Sequence, residues 1–265
     1  MANPSWRQAS TCLLAIAAIF WASAPVSAQS APPPVKSRFI SDVAGDYRAF
    51  VSWDSLQWLA IGGVGALAIA EADEALRQQT EDPNAPLTRA LDAGEAGAHY
   101  GNLTMQVPLA IGWWAVAHAT GHQRGAEAGR DLLRAQISAL SWTYAFKYAV
   151  NRTRPNGDPR SFPSGHSSAT FATAMVLQEH YGWKVGLPVF AAATYTAGSR
   201  MTVNKHWASD VAFGAVLGMV SARTVTLHLR EAPLRISPMV LDGGGGVLIS
   251  IASRSSRTAS RRTAP

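Results

Sequence analysis

The segment from Lys147 to Asp210 reads KYAVNRTRPNGDPRSFPSGHSSATFATAMVLQEHYGWKVGLPVFAAATYTAGSRMTVNKHWASD. Two apolar runs within it, Ser167–Tyr181 and Val185–Ser199, are rich in alanine and other small residues. Runs of this length favour helices over strands. The polar clusters that flank the two runs are therefore expected at helix ends.

The same pattern extends over most of the chain and predicts an all-α fold. Because small residues let helices pack closely, we expect a bundle of six helices within a domain that covers residues 53–232. The acidic connection Glu71–Asn102 is expected to be a solvated loop. The six predicted helices are Leu56–Ala70, Leu103–Thr120, Ala135–Val150, Ser167–Tyr181, Val185–Ser199 and Ala208–Thr226.

The C-terminal residues follow a different pattern. Arg235–Leu241 and Val247–Ala252 flank a glycine-rich run, Asp242–Gly246. Two such segments around a turn predict a small β-hairpin over residues 233–253. Residues 254–265 are rich in serine and arginine, and we expect them to form a disordered tail.

The N-terminus is typical of an exported protein. The apolar run Thr11–Trp21 is followed by the small residues Val26-Ser27-Ala28, so residues 1–28 are predicted to be a cleaved signal peptide. The alternative is a short membrane anchor. The only cysteine, Cys12, lies inside this segment, so the mature chain would have no thiol for a disulfide or a nucleophile. Residues 29–52 are expected to form a linker.

The charge balance argues against one class of partner. The chain has 23 lysines and arginines against 17 aspartates and glutamates, a formal net charge of +6. Without the arginines of the signal peptide and tail, 18 basic residues remain against 17 acidic ones. A body with nearly balanced charge argues against nucleic-acid binding. Those five arginines are Arg7, Arg254, Arg257, Arg261 and Arg262.

The first two polar clusters supply cations and a helix N-terminus. Lys147 and Arg154 are seven residues apart, about two helical turns, so they would share a face if the helix continued to Pro155. In Pro163-Ser164-Gly165-His166, the serine is a natural N-cap and the glycine lets backbone approach a ligand. The free N–H groups of the following helical turn can bind an anion.

The third cluster combines Ser199 and Arg200 with His206 and Asp210. The histidine and the aspartate have i,i+4 spacing, which would place them on one helix face. A carboxylate in that position can hold one ring nitrogen and leave the other free to attack. Each cluster alone also fits a cap, a turn or a structural hydrogen bond. Together they supply what phosphoryl transfer requires, namely cations for the spread charge with a nucleophile and an acid in line.

The combination K-x6-RP, PSGH and SR-x5-H-x3-D resembles the signature of the type 2 phosphatidic acid phosphatase (PAP2) superfamily. This superfamily includes bacterial acid phosphatases, membrane lipid phosphatases and vanadium-dependent haloperoxidases. Seven residues, 156–162, separate the first two motifs, which is fewer than in the soluble acid phosphatases. Every signature position is filled: Lys147, Arg154, Pro155, Pro163, Ser164, Gly165, His166, Ser199, Arg200, His206 and Asp210.

The resemblance implies a metal-independent phosphatase that acts on phosphomonoesters or diphosphates, of either a lipid or a small molecule. His206 would then be the nucleophile that forms a phosphohistidine, Asp210 would orient it, and His166 would protonate the leaving oxygen. No metal and no other cofactor is implied, because the cations stabilise the phosphate. The residues implied to hold the phosphate are Lys147, Arg154, Ser164, Gly165 and Arg200.

Two other functions are open at this point. A vanadate-dependent haloperoxidase would hold vanadate in the same anion pocket, but the chain is short for one. A non-catalytic module that binds phosphate or lipid would have no need of His166, His206 and Asp210.

The sequence also leaves the location open. If all six segments crossed a membrane, the three motifs would lie on one side and many basic residues on the other, as the positive-inside rule requires. A cleaved signal would instead place residues 29–53 outside, and several segments are short for a span. We expect an exported, periplasmic protein that is membrane-associated, or integral with an outward-facing site. Its oligomeric state is left open.

Overall fold

A computed structural model of the chain describes residues 39–91, 94–227, 234–241 and 244–251. The predicted signal peptide (1–28) and the predicted tail (254–265) lie outside the described residues. The helices are α1 (Phe39–Phe50), α2 (Trp53–Ala70), α3 (Asp73–Glu81), α4 (Pro86–Leu91), α5 (Gly94–Tyr100), α6 (Leu103–Ala119), α7 (Gln123–Val150), α8 (Gly165–Tyr181), α9 (Trp183–Thr202) and α10 (Ala208–Val225). Two strands, β1 (Leu234–Leu241) and β2 (Gly244–Ile251), pair antiparallel, with Leu234 opposite Ile251.

The six predicted helices are present as α2 and α6 to α10, but a count of six is too low for the described residues. The predicted linker contains α1, which is held by stacking of Phe50 on Trp142 at a ring distance of 4.5 Å. The acidic connection Glu71–Asn102 is not a continuous loop, because it contains α3, α4 and α5. Its acidic residues are not all solvated either, since Asp73 is only 4% exposed.

Helix α7 is longer than its apolar run, because polar residues at its start are buried in pairs. Arg134 donates to both carboxylate oxygens of Asp46 on α1, at 2.6 and 2.9 Å. Asp131 accepts from Arg134 at 3.1 Å and lies 2.9 Å from Nε2 of His180 on α8. Buried charges are tolerated when they are paired and hydrogen-bonded, so these four residues join α1, α7 and α8 instead of ending α7 at the polar stretch.

Helix α8 lies at the centre and packs against α7, α9 and α10. The contact with α10 is close because two glycines face α8. A Cβ atom on Gly214 would lie 2.6 Å from the carbonyl oxygen of Ser164, and one on Gly218 would lie 2.2 Å from that of Ser168. The absence of side chains at these positions brings the start of α8, which carries the PSGH motif, against the start of α10, which carries Asp210.

A membrane span requires about 20 mostly apolar residues in one helix. No single helix among the described residues is long and apolar enough to cross a bilayer. Helices α2 and α3 meet the requirement together, with a bend of 63° between them.

Candidate active site

A cavity of about 310 Å³ lies where the ends of α7, α8 and α9 meet the turn before α10. Its apolar part is formed by side chains such as Leu103, Leu140 and Ala169. Asp210 and Ser164 do not line it, and both are fully buried next to it. The predicted site residues that line the cavity are Lys147, Arg154, Gly165, His166, Arg200 and His206.

His206 lies in the turn before α10 and not on the helix, which begins at Ala208. The backbone N–H of His206 donates to the carbonyl oxygen of Arg200 at 3.2 Å, which fixes the turn after α9. Its Nδ1 atom lies 3.7 Å from Oδ2 of Asp210, an ion-pair distance that is longer than a hydrogen bond. Because the carboxylate faces Nδ1, the other ring nitrogen, Nε2, is available to the cavity.

The carboxylate of Asp210 is held by several donors. Its Oδ2 atom accepts hydrogen bonds from the Ser161 hydroxyl and from the backbone N–H of Trp207, the latter at 2.9 Å. Its Oδ1 atom accepts from Nη1 of Arg152 at 2.9 Å. Burial raises the pKa of Asp210, but the neighbouring His206 and these donors outweigh burial and hold the pKa below its ordinary value. The group is therefore an anion directly behind His206.

Burial and nearby positive charges keep both histidines of the site neutral at pH 7. Burial lowers the pKa of His206 to about 4, and the positive charges of Lys147 and Arg154 act in the same direction. Burial also lowers the pKa of His166 to about 4, with Arg200 as the next cause. An anion bound in the cavity would raise both pKa values, since an opposite charge nearby favours the protonated ring.

The three predicted phosphate-binding cations reach the cavity from different elements. Helix α7 ends at Val150, because Asn151 adopts a left-handed conformation (φ 46°), so Lys147 lies on the helix and Arg154 lies beyond it. Nζ of Lys147 donates to the carbonyl oxygens of Arg160 and Ser161 at 2.8 and 3.2 Å. Burial and the charge of Arg154 lower the pKa of Lys147 to about 8. Arg200 projects from the end of α9 and is buried.

The PSGH motif forms the N-terminus of α8. The side chain of Ser164 accepts a hydrogen bond from the N–H of Ser167 at 3.4 Å, which makes it the N-cap. Its hydroxyl therefore caps the helix and does not line the cavity, whereas Gly165 does. The first turn of α8 is directed at the same space as the three cations, a position that favours an anion.

Three side chains of the site were not found from the sequence. Lys205 lines the cavity and its Nζ lies 3.1 Å from Oδ2 of Asp158; its place beside His206 was a usable signal. Ser161 and Arg152 contact Asp210; Ser161 lies between the first two motifs, and Arg152 is an unspecified position inside the first. Within the described part of the chain, no group of three or more His, Cys, Asp or Glu residues is placed to hold a metal ion.

The segment that carries this site is similar to known proteins. The profile of the PAP2 superfamily matches residues 130–232. The lipid A 1-phosphatase of Porphyromonas gingivalis is 39% identical over 80 residues, which cover 29% of this chain and 18% of that protein. The lipid A 4'-phosphatase of Helicobacter pylori is 38% identical over 81 residues, which cover 31% of this chain and 41% of that protein. The chain thus spans less than half the length of these curated relatives.

A solved structure shows the same fold. It is described as the first transmembrane PAP2 type phosphatidylglycerolphosphate phosphatase from Bacillus subtilis, and it superposes with a TM-score of 0.53 at 20% identity. The superposition covers 69% of this chain and 95% of that one. All three motifs, from Lys147 to Asp210, lie within the part of the chain that the family profile matches. Residues 130–232 of this chain are thus similar to the PAP2 superfamily, and the three motifs carry that similarity.

Proposed function

We propose that the protein is a metal-independent phosphatase that hydrolyses phosphomonoesters or diphosphates through a phosphohistidine at His206. One observation carries the proposal: His206, backed by the Asp210 carboxylate, lines the same cavity as four cationic side chains and a second histidine. A pocket that only bound an anion would need the cations but would have no use for a carboxylate-backed imidazole. The cations and the first turn of α8 supply the charge stabilisation for which other phosphatases use a metal.

In the first step the phosphoryl group lies among Lys147, Arg154 and Arg200. Nε2 of His206 attacks phosphorus, the bond between phosphorus and the leaving oxygen breaks, and His166 gives its proton to that oxygen. Asp210 stabilises the positive charge that develops on the ring. His166 becomes protonated only when the anion is bound, because its pKa in the empty cavity is about 4.

In the second step a water molecule attacks the phosphohistidine. His166, now neutral, takes a proton from that water, and the bond between Nε2 and phosphorus breaks. Inorganic phosphate leaves and His206 is restored. The same histidine acts first as an acid and then as a base, as microscopic reversibility requires.

A phosphorylated lipid is the substrate class that we favour. Two relatives are named as lipid A phosphatases, and the solved structure as a phosphatidylglycerolphosphate phosphatase. The cavity has an apolar side that an acyl chain could follow. Large apolar side chains on α2 are also exposed, including Ile61, Val64 and Leu67 at 57, 69 and 71%. These features support a protein that acts at a membrane surface.

The proposed domain organisation begins with an export signal. Residues 1–28 are a signal peptide that is removed, and residues 29–52 connect it to the phosphatase domain at 53–232. The β-hairpin (233–253) and the tail (254–265) follow the domain. Export would place the site in the periplasm, where lipid phosphates are exposed at the membrane surface.

The test measures phosphate release from p-nitrophenyl phosphate and from a phosphorylated lipid, with and without a chelator. We expect activity to survive the chelator and to fall about a thousandfold or more in His206→Ala, which removes the nucleophile. Rapid quenching at alkaline pH should trap phosphate on His206. The matched control is His118→Ala, an exposed histidine on α6, which should keep full activity.

Three results would contradict the proposal. Full activity in His206→Ala would remove the nucleophile from the mechanism. Loss of activity with the chelator would show that a metal takes part. Bromide oxidation by peroxide that appears only with vanadate, without phosphate release, would favour the haloperoxidase.

A further inference from the structure

Arg152 occupies a central position behind the nucleophile, although it is only an unspecified (x) position of the first motif. Its Nη1 atom donates to Oδ1 of Asp210 at 2.9 Å and to the Ser209 hydroxyl at 2.7 Å. Its Nη2 atom donates to Oδ2 of Asp73 at 2.8 Å. The guanidinium also lies 5.3 Å from the centre of the Trp207 ring, next to His206 in the chain. Arg152 thus bridges two carboxylates while it packs on the turn that carries His206.

The second carboxylate comes from a distant part of the chain. Asp73 is the first residue of α3, lies outside the segment matched by the family profile, and is only 4% exposed. Its Oδ1 atom accepts from the backbone N–H of Ser209 at 2.9 Å, and its Oδ2 atom accepts from the Ser209 hydroxyl. Asp73 therefore holds both Arg152 and the residue that precedes Asp210.

The charge arrangement explains why two acids share one arginine. An arginine that faced Asp210 alone would neutralise much of the negative charge that stabilises a positive charge on the His206 ring. Asp73 accepts from the second nitrogen of the guanidinium, Nη2. The two carboxylates and Arg152 together then carry a net charge of −1. The field of Asp210 at the ring of His206 is thereby preserved. The bond from Arg152 to Oδ1, together with the bonds from Ser161 and Trp207 to Oδ2, fixes the orientation of the carboxylate.

We propose that Arg152 and Asp73 are a positioning pair that fixes Asp210 behind His206 and keeps its charge available for phosphoryl transfer. This inference rests on the proposed function, because it concerns the same nucleophile. Neither residue lines the cavity where the phosphate would bind. The pair therefore acts on the chemical step and not on binding.

The variants Asp73→Asn and Arg152→Gln test this proposal with p-nitrophenyl phosphate as the substrate. We expect kcat to fall about tenfold or more in each variant while KM stays within about threefold of the wild type, the pattern of a lost transition-state interaction. In an Asp210→Asn background, adding Arg152→Gln should lower kcat by less than about a further twofold, because Arg152 acts through Asp210.

The matched control is Asp46→Asn. Asp46 is also buried and also binds an arginine, Arg134, but at the other end of α7. Asp46→Asn should lower the melting temperature about as much as Asp73→Asn and leave the kcat of the folded protein within about twofold. If Asp73→Asn does not fold, Arg152→Lys is used instead. A lysine keeps the charge but has one nitrogen in place of the two that contact the two carboxylates, so kcat should still fall by about threefold or more.

The outcomes separate the two proposals. If the wild type releases phosphate and both Asp73→Asn and Arg152→Gln keep their kcat, the positioning pair is wrong and the phosphatase assignment stands. The positioning pair would also be wrong if Arg152→Gln lowered kcat by the same factor in the Asp210→Asn background as in the wild type. If the wild type releases no phosphate, the proposed function fails first. Histidine NMR then decides the pair, since Asp73→Asn should shift the ring nitrogen signals of His206 and Asp46→Asn should not.

Discussion

The backbone N–H of Ser164 donates a hydrogen bond to the carbonyl oxygen of Asp210 at 3.0 Å. Ser164 is the N-cap of α8 and Asp210 lies in the first turn of α10, so this bond joins the PSGH motif directly to the residue behind the nucleophile. The helix N-terminus that would receive the phosphate and the histidine that would attack it are thereby held in one frame. Preorganised positions of this kind lower the cost of reaching the transition state.

The first prediction concerns the close contact between α8 and α10. Gly218→Ala places a Cβ atom 2.2 Å from the carbonyl oxygen of Ser168, so the helices must separate. We expect the free energy of unfolding to fall by about 1–3 kcal/mol and activity to fall with it. Thermal unfolding and phosphate release measure the two effects.

The control for this change is Gly65→Ala on α2. A Cβ atom there meets nothing within 4 Å, and alanine is a better helix former than glycine. This variant should gain about 0.5–1 kcal/mol of stability and keep its activity. Equal melting temperatures for Gly218→Ala and the wild type would show that the close approach is not needed.

The second prediction concerns the hydroxyl of Ser161, which donates to Oδ2 of Asp210. A hydrogen bond to a charged group contributes about 1.5–3 kcal/mol, so we expect Ser161→Ala to lower kcat by about tenfold with little change in KM. Ser221→Ala is the control, since Ser221 is also buried and its hydroxyl bonds only to the backbone of α10. Equal kcat values in the two variants would argue against a role for Ser161 in orienting Asp210.

The third prediction is a loss of activity at alkaline pH that follows Lys147. With a pKa of about 8, the ammonium group that we propose to hold the phosphate is charged below pH 8 and becomes neutral as the pH rises through that value. We expect kcat/KM to fall on that limb, and the limb should move to higher pH in Lys147→Arg, whose guanidinium stays charged. An unchanged alkaline limb in Lys147→Arg would contradict this assignment.

Unfolding does not explain that loss, because the effect of Lys147 on stability has the opposite sign. Its pKa is about 8 in the folded protein, below the ordinary value of 10.5, so the unfolded chain binds more protons between these values. The contribution of Lys147 to stability therefore increases as the pH rises from 8. A melting temperature measured at each pH separates the two effects.

The fourth prediction concerns the exposed apolar face of α2, formed by Ile61, Val64 and Leu67. If this face contacts lipid, changing all three residues to serine should weaken binding to phospholipid vesicles by about tenfold or more, since each buried aliphatic side chain contributes about 1.5–3 kcal/mol. Turnover of p-nitrophenyl phosphate should be unchanged. Gln79→Ser, an exposed polar position on α3, is the control in a vesicle sedimentation assay. Equal sedimentation of the triple variant and the wild type would argue against this face.

Much of the site could be predicted because its residues lie close together in the chain. The spacing of Lys147, Arg154, His166, Arg200 and His206 placed them at the ends of consecutive helices, and the cavity contains all five. Arg154 and His206 were expected on helices but lie outside them, because of the local backbone conformation. Asn151 ends α7 before Arg154, and the turn after α9 leaves His206 outside α10.

The sequence by itself determined the six longest helices and the three motifs, because apolar periodicity, a serine N-cap and short-range spacing are properties of neighbouring residues. Only the tertiary structure decided which charged residues are buried. Asp73, expected on a solvated loop, lies against Arg152 and Ser209, and Asp46 lies against Arg134. A charge can leave water only where a partner replaces the lost hydration, and here each partner comes from a distant part of the chain. That pairing is a property of the folded arrangement, which no local pattern records.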